Sequence, residues 1–255
     1  MISHGTAYQV FSEDPLLAGH TEVHEVAEWP SDGALADVAA QAGCHETTFL
    51  RRCASGVELR WFARRIEVPL CGHGALAAAH HLGESLREGD VVEVLNKRGR
   101  LRLSRMHGEA GLIWPELTLE VAHVLLPSAS FPCTAYAAGR DYLFFTADRD
   151  AFRRYVPPTA ELQALDRIGV ILATTSESAD LNFRFFAPSV GIDEDAVSVS
   201  VIPALVALAG SVDRKDYCFT QGVDEPVRME ASAHRGDIWV TGRVQLACGC
   251  DKSAG

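Results

Sequence analysis

The sequence predicts an α+β fold of two similar halves, each a curved antiparallel sheet around a buried central helix. Two observations predict it. The runs Gly74-Ala75-Leu76-Ala77-Ala78-Ala79 and Ile202-Pro203-Ala204-Leu205-Val206-Ala207-Leu208-Ala209 are small and apolar nearly all round, the pattern of a helix that meets protein on every side. One such run falls in each half of the chain, with strand-like segments before and after it. A curved sheet is the simplest wrapping for such a helix, and meeting the arrangement twice predicts a repeat.

The elements follow in order. Leu35 to Ala42 reads as a helix, and Leu59-Arg60-Trp61-Phe62-Ala63 as a strand. Gly74 to Leu82 is the first buried helix. Val91-Val92-Glu93-Val94-Leu95 is a strand, and Arg100-Leu101-Arg102-Leu103 alternates strictly, so one of its faces is buried and the other wet. Ala129 to Cys133, bracketed by Pro127 and Pro132, reads as the crossover, giving domains 1–127 and 128–255. A polar helix follows around Thr159 to Leu165, and Ser200 to Ala209 is the second buried helix. Pro203 sits in its first turn, where no backbone N–H bond is lost. Each buried helix is preceded by a polar loop. Helix N-termini carry unpaired N–H groups and partial positive charge, so two of them facing one cleft would hold a substrate carboxylate.

Composition narrows the function. A chain of 255 residues accommodates two domains of roughly 120 each. A hydrophobic fraction of 47% with 22% charged residues is that of an ordinary globular protein, and no apolar run approaches the ~20 residues that span a bilayer. His4, Glu13, Asp14 and His20 in the first 25 residues do not make a secretory leader, which predicts a cytoplasmic protein. The net charge of -11 repels nucleic acid and anionic lipid, and Arg51-Arg52, Arg64-Arg65 and Lys97-Arg98 are too scattered to override it. The expected partner is a small molecule. Seven cysteines, an odd and irregular set, read as reduced thiols. Cys248-Gly249-Cys250 lacks a second pair at ligand spacing, and His80 and His81 point about 100° apart on a helix, so no metal site is expected from either.

Three segments carry candidate chemistry. Cys71-Gly72-His73-Gly74 opens the first buried helix, and glycines flanking His73 let backbone approach a ligand; a turn or capping histidine is the plainer alternative. Gly191-Ile192-Asp193-Glu194-Asp195-Ala196, followed by Ser198 and Ser200, precedes the second; helix capping accounts for such residues equally well. Glu46, in His45-Glu46-Thr47-Thr48-Phe49-Leu50, stands at the entrance of an apolar strand, where burial would raise its pKa; otherwise it is a solvated loop glutamate.

Together, Glu46-Thr47-Thr48-Phe49, Glu67-Val68-Pro69-Leu70-Cys71-Gly72-His73-Gly74 with its alanine-rich continuation, and Arg184-Phe185-Phe186-Ala187-Pro188 with Gly191 to Ala196 resemble the PhzF (phenazine-biosynthesis) family in order and spacing. Val10-Phe11-Ser12, Gly19, Gln221-Gly222 and Val240-Thr241-Gly242-Arg243-Val244 extend the similarity over nearly the whole chain. The resemblance implies a diaminopimelate epimerase-like fold, a homodimer, and an isomerase that needs no metal or organic cofactor. It places the proton-shuttling glutamate at Glu46, the glycine-histidine pair at Gly72 and His73, the aspartate at Asp195 and the serine at Ser200. The helix N-termini near Gly74 and Ser200, with Ser198, are expected to hold the substrate carboxylate.

The chain departs from the family's pattern at three places. Gly19-His20-Thr21 stands for Gly-Asn-Pro, and Ala63-Arg64 for Thr-Pro. Asp195-Ala196-Val197-Ser198-Val199-Ser200 stands for Asp-Ala-Ala-Thr-Gly-Ser, with a β-branched valine where glycine lets a ligand lie on the backbone. These changes imply a substrate other than the phenazine precursor, such as a smaller unsaturated cyclic amino acid. Two rival readings stay open: a racemase using Cys71 as a thiol base, and a binding protein that kept the fold and lost the chemistry.

Overall fold

The computed structural model describes residues 2–11, 19–44, 46–54, 56–83, 86–96, 99–106, 108–210, 216–224 and 226–247. Ser12, His45, Lys97-Arg98, Cys248 and Cys250 lie outside them. The protein is mostly sheet with few helices, and its contacts divide it into two compact units. Met1–Trp114 and Trp239–Gly255 form the first, and Pro115–Ile238 the second. The division expected at residue 127 therefore falls earlier, and the C-terminal stretch belongs with the N-terminal unit. The reason is a strand pair. Val244–Leu246, the last strand, runs antiparallel to the first, with Val10 opposite Val244.

The first unit contains β1 (Thr6–Val10), β2 (Gly19–Glu25), α1 (Asp32–Gln41), β3 (Glu46–Cys53), β4 (Gly56–Ala63), β5 (Ile66–Val68), α2 (Gly72–His81), β6 (Val91–Asn96), β7 (Gly99–Met106) and β8 (Glu109–Pro115, its last residue across the division). Strands β1 and β2 are antiparallel, β2 and β3 parallel, and β3 and β4 antiparallel. β4 pairs antiparallel with β5 and parallel with β6, which leads antiparallel to β7 and β8. Alternation along β3 and β4 sends side chains to two covered faces. Phe49 and Phe62 pack with Val26, Leu35 and Ala39, against α1. Thr48 and Trp61, cross-strand partners, face α2.

Helix α1 starts at an N-capping Ser31, whose hydroxyl accepts the Ala34 N–H. Helix α2 is capped by Cys71, whose sulfur accepts the Gly74 N–H at 3.3 Å. Every residue of α2 from Gly72 to Ala79 is buried, and the helix touches β1, β2, β3, β7 and the final strand. Its C-terminal end is tied by the Tyr8 hydroxyl, 2.8 Å from His81 Nδ1, and by Glu25, 3.2 Å from His81 Nε2. The carboxylate only accepts, so His81 Nε2 carries the hydrogen and Nδ1 accepts from the phenol.

The second unit contains β9 (Glu120–Val121), β10 (Thr134–Ala138), β11 (Asp141–Thr146), α3 (Arg149–Arg154), α4 (Thr159–Gln163), β12 (Gly169–Thr175), β13 (Leu181–Ala187), β14 (Ile192–Asp195), α5 (Ile202–Ala209), β15 (Asp216–Gln221) and β16 (Val227–His234). The chain then runs through β17 (Asp237–Gly242) into β18 (Val244–Leu246). Phe152, Tyr155 and Leu162 of the α3–α4 segment pack on Phe144, Val170, Leu172 and Phe186 of the sheet. Two expectations change here. The segment read as a polar loop before the second buried helix contains strand β14, paired to β13 through a bulge with Ala187 opposite Ile192 and Phe185 opposite Asp195. The helix itself begins at Ile202 rather than Ser200, behind a 3₁₀ turn over Val199–Val201.

No helix among the described residues is long and apolar enough to cross a membrane.

Candidate active site

In the first unit, Glu46 is the first residue of β3, in register between Thr21 of β2 and Ala63 of β4. A carboxylate at a strand entrance can sit in solvent, but this one is 6% exposed. Its Oε2 lies 3.4 Å from Nε2 of His73, itself 4% exposed, in the first turn of α2. Cys71 Sγ is 3.6 Å from the same nitrogen. Glu46, Cys71 and His73 thus form one buried cluster where the sheet meets the start of α2.

The glycines around the cluster are there for space. A Cβ on Gly74 would come 2.5 Å from Thr48 Oγ1 and 3.0 Å from both Cys71 Sγ and Trp61 Cδ1, so only glycine lets α2 lie this close to the sheet. A Cβ on Gly19 would meet His73 Cβ and Cγ at 3.0 Å, so this small residue of β2 seats the imidazole. Packing therefore explains Gly74 without a ligand. Gly72, at the first position of α2, is buried beside His73.

Electrostatics set the protonation of the cluster. Burial opposes a charge on His73, but the Cys71 sulfur and the Glu46 carboxylate outweigh it and hold the imidazole well above its usual value. Burial likewise pushes the Cys71 thiol up, with the His73 charge pulling the other way. The raised imidazole pKa favours the imidazolium, and burial favours the neutral thiol.

In the second unit, the three acids of 193–195 have separate partners. Asp193 accepts from the Thr159 hydroxyl, and Glu194 takes a bidentate pair from Arg184 with both bonds at 2.7 Å. Asp195, at the end of β14, accepts the Ser198 hydroxyl at 2.5 Å and the Val197 N–H at 3.4 Å. Gln221 fastens this loop. Its amide nitrogen donates to the Asp195 carbonyl and to Ser198 Oγ, and its oxygen accepts the Ser198 N–H at 2.6 Å. Ser200 Oγ accepts from Arg140 at 2.7 Å, and Arg140 also pairs with the buried Asp141 at 3.0 Å. Val199, between the two serines, is fully buried, and α5 has no side-chain cap.

The structure brings Glu46 and His73 together with Cys71, and Asp195 together with Ser198. Ser200 is engaged by Arg140 instead. Sequence reading named Cys71 only in the rival racemase reading, and missed two partners: Arg140 at Ser200, and Gln221 as the clamp of the Asp195–Ser198 loop. Gln221 had a signal, since Gln221-Gly222 is among the segments that resemble the family.

Comparison with known proteins gives these arrangements a family. Residues 8–118 match the PhzC-PhzF family, described as phenazine biosynthesis-like protein. An uncharacterized isomerase of Pseudomonas aeruginosa is 32% identical over 238 residues, covering 90% of this chain and 87% of that one. A second from the same organism is 26% identical over 248 residues, covering 94% and 96%. The crystal structure of a phenazine biosynthesis protein of the PhzF family from Enterococcus faecalis superposes with a TM-score of 0.83 at 23% identity, over 97% of this chain and 98% of that one. A hydroxyproline epimerase from Agrobacterium vitis, solved with bound trans-4-hydroxy-L-proline, has the same fold at a TM-score of 0.66 and 10% identity, covering 96% and 89%. The chain belongs to the PhzC-PhzF, phenazine biosynthesis-like family of isomerases.

Proposed function

We propose that the protein moves a proton between carbons of a small unsaturated substrate, a cyclic amino acid or carboxylate of specialised metabolism, by acid/base chemistry at Glu46 with no metal or organic cofactor. The observation that carries this reading is the buried Glu46 carboxylate 3.4 Å from His73 Nε2. A desolvated carboxyl exchanges a carbon-bound proton with far less solvent reorganisation than an exposed one, and the imidazolium beside it stabilises negative charge that develops on the substrate. Gly72, at the start of α2, brings its backbone N–H to the same place, where it takes the substrate carboxylate, while the Gly74 N–H is held by Cys71 Sγ.

The two units are pseudo-equivalent in this reading, each a sheet wrapped on a central helix. The pairing senses support it. From β1 the series is antiparallel, parallel, antiparallel, then at one strand both antiparallel and parallel, and from β10 the same series recurs. Position 46, the start of β3, corresponds to Gly169 at the start of β12, so only one unit carries the carboxylate.

Glu46→Gln keeps the shape and hydrogen-bonding of the side chain and removes its proton exchange. Turnover is expected to fall about 10²- to 10⁴-fold with substrate affinity retained. Near-normal turnover would reject the assignment.

A thiol-based racemase remains a second reading because Cys71 is in the cluster. Its raised pKa and its capping bond to Gly74 argue for a structural thiol. Serine is itself a favoured N-cap, so Cys71→Ser should fold. A folded but inactive Cys71→Ser enzyme would support the thiol base; one that turns over rejects it.

A further inference from the structure

The geometry points to a second ligand for the same cluster: zinc(II), bound by Glu46, Cys71 and His73 with one coordination position left open, as a reversible inhibitor of the proton chemistry. This deepens the acid/base reading and rests on it for access, since a cluster that substrate reaches is open to a hydrated cation.

The three side chains are a zinc donor set of thiolate, imidazole and carboxylate, each offering one ligand atom within 4.8 Å of the other two. The separations match the metal. Zinc at about 2.3 Å from sulfur and about 2.0–2.1 Å from nitrogen or oxygen, in tetrahedral geometry, puts its ligand atoms about 3.5 Å apart for S···N and about 3.4 Å for N···O. The structure has Cys71 Sγ and His73 Nε2 at 3.6 Å, and His73 Nε2 and Glu46 Oε2 at 3.4 Å. Those two edges need almost no adjustment. The donors come from two rigid elements, the start of β3 and the first turn of α2, locked together by the Gly74 contact with Thr48 and Trp61.

Charge also balances. Zinc(II), neutral imidazole, thiolate and carboxylate sum to zero, so the bound site is neutral and any protons its ligands carried leave to solvent. With zinc bound, Glu46 has no free lone pair aimed at substrate and His73 no proton to offer, so isomerisation stops.

The test uses the full chain carrying Cys248→Ser and Cys250→Ser, stripped of metal with EDTA and dialysed, then titrated with zinc sulfate and with cobalt(II) chloride. The expected result is one equivalent of zinc, and a cobalt spectrum with a thiolate-to-metal charge-transfer band and tetrahedral d–d bands. Cys71→Ser should lose the charge-transfer band, and His73→Gln should weaken zinc at least about a hundredfold, the upper range for losing even an outer-sphere partner. Circular dichroism checks each fold; should Cys71→Ser not fold, Glu46→Gln is the second variant and should weaken zinc similarly. No stoichiometric uptake, uptake without the thiolate band, or uptake unchanged in these variants would overturn the site. The optical readout needs no substrate. Zinc binding alongside a fully active Glu46→Gln enzyme would reject the proton shuttle and leave the cation site standing, and an inactive Glu46→Gln enzyme with no zinc uptake does the reverse.

Discussion

At the residue scale, the protein turns on how burial treats each titratable group. His73 is held above its usual value by its two neighbours, while His80 and His81 are pushed below theirs, chiefly by burial. The two shifts act on stability in opposite directions. A histidine of raised pKa stabilises fully below the unfolded value of about 6.5 and loses that contribution as pH climbs through the folded value; a histidine of lowered pKa costs stability as pH falls below about 6.5. The melting temperature is therefore expected to pass through a maximum near neutrality, with the alkaline fall attributable to His73. A His73→Gln variant should lose that fall across a pH series of thermal melts; an unchanged alkaline slope would show that His73 is not the imidazolium described. Glu46, Cys71 and His73 were all named in the sequence, where each alone read equally as a loop glutamate, a small buried thiol or a capping histidine; no local pattern gave their meeting at His73 Nε2. Arg140 and its partner Ser200 are 60 positions apart, and no local pattern marks such a pair.

At the scale of elements, α2 and α5 show two ways to start a buried helix. Helix α2 begins with a capped, glycine-lined turn pressed onto the sheet. Helix α5 begins behind a 3₁₀ turn whose Val199 and Val201 are buried, so apolar anchoring replaces a cap. Gly74→Ala tests the first. Its methyl would collide with Thr48, Cys71 and Trp61, and overpacking of this kind costs about 1–3 kcal/mol. Gly33→Ala, in the first turn of α1 with nothing within 4 Å of the new methyl, should be neutral or stabilise by up to about 1 kcal/mol. Urea unfolding of the two variants measures the contrast, and equal effects would contradict the packing described. Helix α2, buried from Gly72 to Ala79, was legible from its composition all round, whereas α5 is buried only from Ile202 to Val206. Strand β14 was not, because its acids mask an edge strand whose pairing is decided by β13.

At the scale of the whole molecule, two halves and a mostly β architecture could be read from one repeated motif. The return of the C-terminus could not, since β18 pairs with β1 across 236 positions at Gln9 and Gln245, and such closure leaves no mark on either segment. The repeated series of strand senses matters for function because it sets Glu46 against a glycine at the corresponding position of the second unit. In the proposed mechanism a single carboxylate, Glu46, both removes and returns the proton. The direct test is deuterium exchange: unsaturated cyclic amino acids and carboxylates are incubated with the enzyme in D2O and followed by mass spectrometry. The account predicts that the wild-type protein isomerises at least one of them, with at most one deuteron entering the product by exchange at the carboxyl, and that Glu46→Gln does so about 10²- to 10⁴-fold more slowly. Equal isomerisation rates in the two proteins would contradict it.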